Sequence, residues 1–91
     1  MKVLAKFYWD CGRNGDLDGL FIADKEDIES AVGKDVYFGE VLGKHSEIYG
    51  VIAVDDITIV SEDQTVVDVL SYIFEGGEIS GFNPLAYITE S

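Results

Sequence analysis

The sequence predicts a small α+β domain: a curved, mainly antiparallel sheet of about five strands packed with two short helices. Three observations lead there. Apolar and polar residues alternate in several short runs, apolar residues recur at helical spacing in two others, and glycine-rich or acidic turns separate these segments. Ninety-one residues leave room for one hydrophobic core, so residues 1–91 are read as a single domain.

Residues 3–9 place Val3, Ala5, Phe7 and Trp9 on one face and Leu4, Lys6 and Tyr8 on the other, the pattern of a half-buried strand. A polar loop is expected over 10–19, then a short strand over 20–23. Asp24 suits a helix N-cap, with Asp27 and Glu29 near the positive end of the helix dipole. Ile28, Ala31 and Val32 form that helix's apolar stripe, and Gly33 suits its end. Segments 36–42 and 46–54 read as a hairpin turning at Gly43-Lys44, followed by the Asp55-Asp56 turn and a strand over 57–60. Ser61 and Gln64 have capping-box spacing ahead of Val66, Val67, Leu70, Ile73 and Phe74, which recur as on a helix. Gly76-Gly77 ends this helix, and Pro84 can start a last helical turn.

Charge narrows the class of partner. Eighteen Asp and Glu against six Lys and Arg give a formal net charge of −12. Such a surface repels phosphate backbones and anionic membranes and is drawn to basic proteins, so direct nucleic-acid or membrane binding is not expected. Five Phe, five Tyr and one Trp in a chain 47% hydrophobic argue for an ordered core. A chain this short buries only about 60–65% of its unfolded surface, and homo-oligomerisation is a natural remedy. Cys11 is the only cysteine, which excludes an internal disulfide, leaves pairing between chains open and fits a reducing compartment. The N-terminus lacks the pattern of a secretory signal, and no run approaches the roughly 20 apolar residues of a membrane span. A cytoplasmic protein is expected.

Three places invite a reading as sites. Asn14-Gly-Asp16-Leu-Asp18-Gly19 has the spacing of the first half of a calcium loop, but its twelfth position is Lys25 rather than Glu, so it reads as a solvated acidic turn. Lys44, His45 and Ser46, within Gly43–Glu47, are the densest polar set and could form a nest for a phosphate or carboxylate, or a plain polar turn. Neither P-loop spacing nor a catalytic relay is present there. Glu40 falls on the same strand face as Val36 and Phe38 and would need a partner such as Lys44, His45 or Arg13. Arg13 near Cys11 would favour a thiolate, yet no flanking motif marks a nucleophile. No catalytic residue, metal ligand or cofactor is expected.

The carboxylates fall in groups, with Asp16 and Asp18 near Asp10, then Asp24, Glu26, Asp27 and Glu29, then Asp55 and Asp56, then Glu62, Asp63 and Asp68, then Glu75 and Glu78. They serve solubility alone, or form an array that imitates nucleic-acid phosphates and docks on Arg- and Lys-lined channels.

The stretch VYFGEVLGKHSEIYG over 36–50, with GDLDGLFIA over 15–23 and ISGFNPL over 79–85, resembles small accessory proteins of tailed bacteriophages that carry an FGE-x-x-GKHSE string. The resemblance covers most of the chain. It implies a phage-type protein acting in the bacterial host cytoplasm and assigns no catalytic role to any residue. Phage accessory proteins often counter host defence, which leads to a non-enzymatic inhibitor of a CRISPR effector or restriction system, a basic host protein, by nucleic-acid mimicry. The alternative is a sponge for a nucleotide immune messenger, with Lys44, His45, Ser46, Arg13, Asn14 and Asn83 as polar contacts and Tyr8, Tyr37, Phe82 or Tyr87 stacking on a base. A structural or virion-associated protein is the third reading.

Overall fold

The computed structural model describes residues 1–89, and in it β1 (Lys2–Asp10) and β2 (Asp16–Asp24) pair antiparallel along their whole length. β5 (Ile57–Ser61) lies beside β1 and β6 (Glu78–Gly81) beside β2, both antiparallel, giving the order β5-β1-β2-β6. β3 (Asp35–Gly39) and β4 (Ile48–Val51) form a separate antiparallel ribbon. The helices are α1 (Lys25–Ala31) and α2 (Gln64–Ile73). The predicted α+β class is found, with six strands among the described residues divided between two open sheets.

Alternation along β1 and β2 decides which face buries what. Val3, Ala5 and Phe7 join Leu17, Phe21 and Ala23 on one face, packed with Ile28 and Ala31 of α1 and with Val36, Phe38, Ile48 and Ile52. On the other face Leu4 and Ile22 meet Val67 of α2, with Leu20, Leu70 and Ile79 at the margin. That second core is small. It covers only one end of the sheet's second face, and Lys6 and Tyr8 at the other end are exposed.

Phe38 joins the ribbon to the larger sheet. Its ring centroid lies 5.7 Å from Phe7, 5.5 Å from Trp9, 5.7 Å from Phe82 and 4.7 Å from Tyr87. Such pairs contribute about 0.5–1.5 kcal/mol each beyond area burial. Phe82 and Tyr87 reach this cluster because the chain after β6 crosses β2 at Gly19. A β-carbon on Gly19 would lie 1.8 Å from the Phe82 carbonyl oxygen, and the Phe82 N–H donates to the Asp18 carbonyl at 2.9 Å. Asn83 then caps the 3-10 turn Pro84–Tyr87, its side chain accepting from the Leu85 N–H at 3.0 Å.

Several expectations are corrected. β2 begins at Asp16, so the polar loop is confined to 11–15. Asp16 and Asp18 point outward from a strand around buried Leu17, which removes the calcium-loop geometry. The hairpin turn is a loop over 40–47 rather than Gly43-Lys44, and it carries Glu40 into solvent, where no buried partner is needed. Val32 lies past the end of α1 and is exposed. Asp63, not Ser61, caps α2, accepting from the Thr65 N–H at 2.9 Å, while Gln64 donates to the Lys2 and Glu62 carbonyls. On α2, Val66 and Ile73 face solvent because the sheet offers only the Leu4–Ile22 patch to pack on.

Phe38→Ala is expected to cost about 3–5 kcal/mol in urea unfolding, and Phe38→Leu clearly less. Gly19→Ala, one methyl group, is expected to cost about 1–3 kcal/mol or more because backbone must move. Wild-type stability in the Gly19 variant would contradict the crossing described.

Candidate functional site

The site region lies where the β1–β2 loop, the C-terminal end of β1 and the start of β4 come together. The Ser46 hydroxyl donates to Asn14 Oδ1 at 3.3 Å, tying the 40–47 loop to the 11–15 loop. The Gly43 carbonyl accepts from the Ser46 N–H at 3.2 Å, and His45 within this turn has a left-handed φ of 66°. Lys44, His45 and Arg13 are exposed. Of the expected polar set, the structure brings Asn14 and Ser46 into contact. It does not bring Asn83, whose side chain is committed to its cap.

Register creates a feature that composition could not show. Asp10 sits directly opposite Asp16, and Tyr8 opposite Asp18, on the outward face of the sheet. Like charges directly opposite each other destabilise a sheet. The Tyr8 N–H donates to the Asp56 carbonyl at 3.0 Å, so the 53–56 turn closes beside the same end. Asp56 Oδ2 accepts from the Ala53 N–H at 2.7 Å, which holds that turn shut.

The remaining expected carboxylates lie elsewhere and behave differently. Asp24 and Glu26 are 3.7 and 3.5 Å from the N-terminal amine, Lys2 is 3.6 Å from Asp24, and Lys25 is 3.6 Å from Glu62. Asp63 caps α2, and Asp27 lies in the first turn of α1. Ion pairs therefore gather at the Asp24–Glu62 end, whereas Arg13 and Lys44 lie exposed at the other. Among the described residues no ion pair reaches Asp10, Asp16, Asp18, Asp55 or Asp56.

Two neighbouring groups register this field. The Tyr8 hydroxyl is held protonated beyond its ordinary value of 10.0, first by its hydrogen bond to Asp16, then by desolvation and the charges of Asp16 and Asp10. The Cys11 thiol is raised first by desolvation and then by Asp16 and Asp10. The thiolate that Arg13 was expected to favour is thus opposed. Among the described residues, no group of three or more His, Cys, Asp or Glu side chains has an arrangement able to hold a metal ion.

A cleft of about 370 Å³ lies between Trp9, Asp10 and Cys11 on one side and residues 47–51 on the other. Its lining carries the carboxylates of Asp10 and Glu47 and no cation. Beside it, on the outer face of the ribbon, Tyr37 and Tyr49 stack with centroids 6.5 Å apart and planes 20° from parallel. Tyr49 is 70% exposed. The Tyr37 hydroxyl donates to Glu47 Oε2, and that bond, with desolvation and nearby negative charge, raises its pKa as well. Phe82 and Tyr87 are half-buried around Phe38, which leaves Tyr37 and Tyr49 as the exposed aromatic pair. Tyr49 was not among the expected residues, although the alternation of Ile48, Tyr49, Gly50 and Val51 carried the signal.

No helix among the described residues is long and apolar enough to cross a membrane. Comparison with family models, with curated proteins and with solved structures finds no match to this chain.

Both raised phenols bind their protons more tightly folded than unfolded. Their contribution to stability is present below about pH 10 and is lost as pH rises through the folded pKa values. In a phenolate-absorbance titration, Tyr8→Phe and Tyr37→Phe are each expected to remove a late-ionising step. Loss of an ordinary step instead would contradict the Asp16 and Glu47 contacts.

Proposed function

We propose that this chain is a non-enzymatic acidic binding module of phage type that inhibits a bacterial defence protein, a CRISPR effector or restriction system, by presenting carboxylates where that protein expects phosphates. The observation that supports the reading is the cross-strand Asp10/Asp16 pair, with Asp18 two residues along the same face. Strand geometry spaces Asp16 and Asp18 by about 7 Å, and Asp10 and Asp16 face each other across about 5 Å. Folding alone disfavours this placement, whereas a partner bearing Arg and Lys makes it favourable on binding. The net charge of −12 adds steering toward such a partner.

The messenger-sponge reading draws on the Ser46–Asn14 contact, which holds the Lys44–Ser46 turn next to Glu47 of the cleft. Asp10 and Glu47 in that cleft would repel a phosphate, so mimicry is the stronger reading.

The test compares two triple variants in capture from bacterial lysate. Asp10→Asn/Asp16→Asn/Asp18→Asn is expected to lose a basic protein that wild type retains and that duplex DNA displaces. Asp24→Asn/Glu26→Gln/Glu62→Gln is expected to keep it. Equal retention by both variants, or indifference to DNA, would contradict the reading. Asp16→Asn alone is expected to raise the thermal midpoint by about 1–4 °C, because it removes a like-charge pair.

A further inference from the structure

The ribbon has one covered edge and one open edge. Beyond β3, Val36 bridges to Ile88, and the Thr89 N–H donates to the Asp35 carbonyl at 2.9 Å. Beyond β4, no strand among the described residues pairs. The register sets Asp35 opposite Val51 and Tyr37 opposite Tyr49. Because the Asp35 carbonyl turns outward to Thr89, Asp35–Val51 is a non-hydrogen-bonded pair. By the same alternation Val51 and Tyr49 turn their N–H and C=O groups away from β3. The cleft of about 370 Å³ runs along this edge, lined by consecutive residues 47–51.

We propose that β4 accepts an extended basic segment of a protein partner as an added antiparallel strand, with cationic side chains on the outer face and apolar ones over the cleft. This inference rests on the acidic-module reading and specifies how that partner is held. Backbone groups of Tyr49 and Val51 supply the ladder, as in other strand-addition complexes. Glu47 stands at the start of β4 and Asp10 in the opposite cleft wall, so a carboxylate borders the added strand on each side. Tyr49, stacked on Tyr37, offers an aromatic face for a guanidinium. Beneath the strand, Trp9 packs so close to Gly50 that a β-carbon there would meet its ring at 3.3 Å, which gives the inner side chains an apolar floor.

Charge also decides against the competing occupant. A second copy pairing at this edge would bring the same carboxylates face to face, with a net charge of −12 on each chain. The acidic border thus blocks self-pairing at an exposed edge while admitting a strand of opposite charge.

The probe is a short labelled peptide of alternating Arg and Val, compared with the same peptide N-methylated on alternate residues. Fluorescence anisotropy gives affinity, and amide hydrogen exchange of the intact chain gives location. The plain peptide is expected to slow exchange at Tyr49 and Val51 by about tenfold or more, leaving Thr58 of β5 and Ser80 of β6 unchanged. N-methylation on the face toward β4 is expected to weaken binding at least about tenfold. Val51→Pro, which removes an outward donor but no bond to β3, is expected to do the same. If that variant fails to fold, the N-methyl comparison on wild type still decides. Equal binding of both peptides, protection elsewhere, or no binding overturns the edge proposal. Failure of the acidic-module reading appears separately, in the lysate capture.

Discussion

The packing of Phe38 against Phe7, Trp9, Phe82 and Tyr87 is the contact on which the remaining architecture depends. A two-stranded ribbon is marginal on its own in water, and β3–β4 is ordered because Phe38 anchors it to the four-stranded sheet. The anchor sets the rest of that end. With Phe38 seated beside Trp9, β4 runs alongside the end of β1, the cleft between them exists, and Ser46 reaches Asn14. The anchor in turn requires Gly19, where the absence of a side chain lets the chain carry Phe82 and Tyr87 across β2. A hydrophobic contact and a missing β-carbon thus place polar groups that neither touches.

Charge is arranged by the same topology. The antiparallel pairing of β1 and β2 sends the N-terminal amine, Lys2 and Lys25 to the end that holds Asp24, Glu26 and Glu62, where they pair. It sends Asp10, Asp16, Asp18 and Asp56 to the other end, where no ion pair forms among the described residues. Exposed pairs of this kind contribute little to stability, so the contrast matters chiefly for the field each end presents. One end is knit by ion pairs, and the other sets Asp10, Asp16 and Asp18 close together with Arg13 and Lys44 exposed nearby, beside an open strand edge and an exposed tyrosine pair.

Much of the fold was legible because it rests on periodicity. The alternation of residues 3–9, the helical spacing of Ile28 with Ala31 and of Val67 with Leu70, and the start at Pro84 all correspond to observed elements, whereas Phe74 lies just past the end of α2. β2 was read too short because its first residues are acidic, although Leu17 and Gly19 are buried in alternation with exposed Asp16 and Asp18. β6 escaped notice because its four residues hold a single large apolar side chain, Ile79. The α2 stripe was drawn too wide, since a pattern shows where a helix can bury residues but not how much sheet lies beneath it. For the candidate site, the sequence supplied the residue types and not their neighbours. Asp10 and Asp16 become a pair only once the register is set, and Tyr49 matters only because β4 is an edge.

The claim that the Asp10–Asp16 end is held against its own repulsion is open to a direct physical measurement: the thermal midpoint of the purified protein between about 0.01 M and about 1 M sodium chloride, over which the screening length falls from about 30 Å to about 3 Å. The account predicts a midpoint that climbs steadily with salt, and climbs less in the Asp10→Asn/Asp16→Asn/Asp18→Asn variant than in the Asp24→Asn/Glu26→Gln/Glu62→Gln variant. A midpoint that is flat or falls with salt, or equal slopes in the two variants, would contradict it.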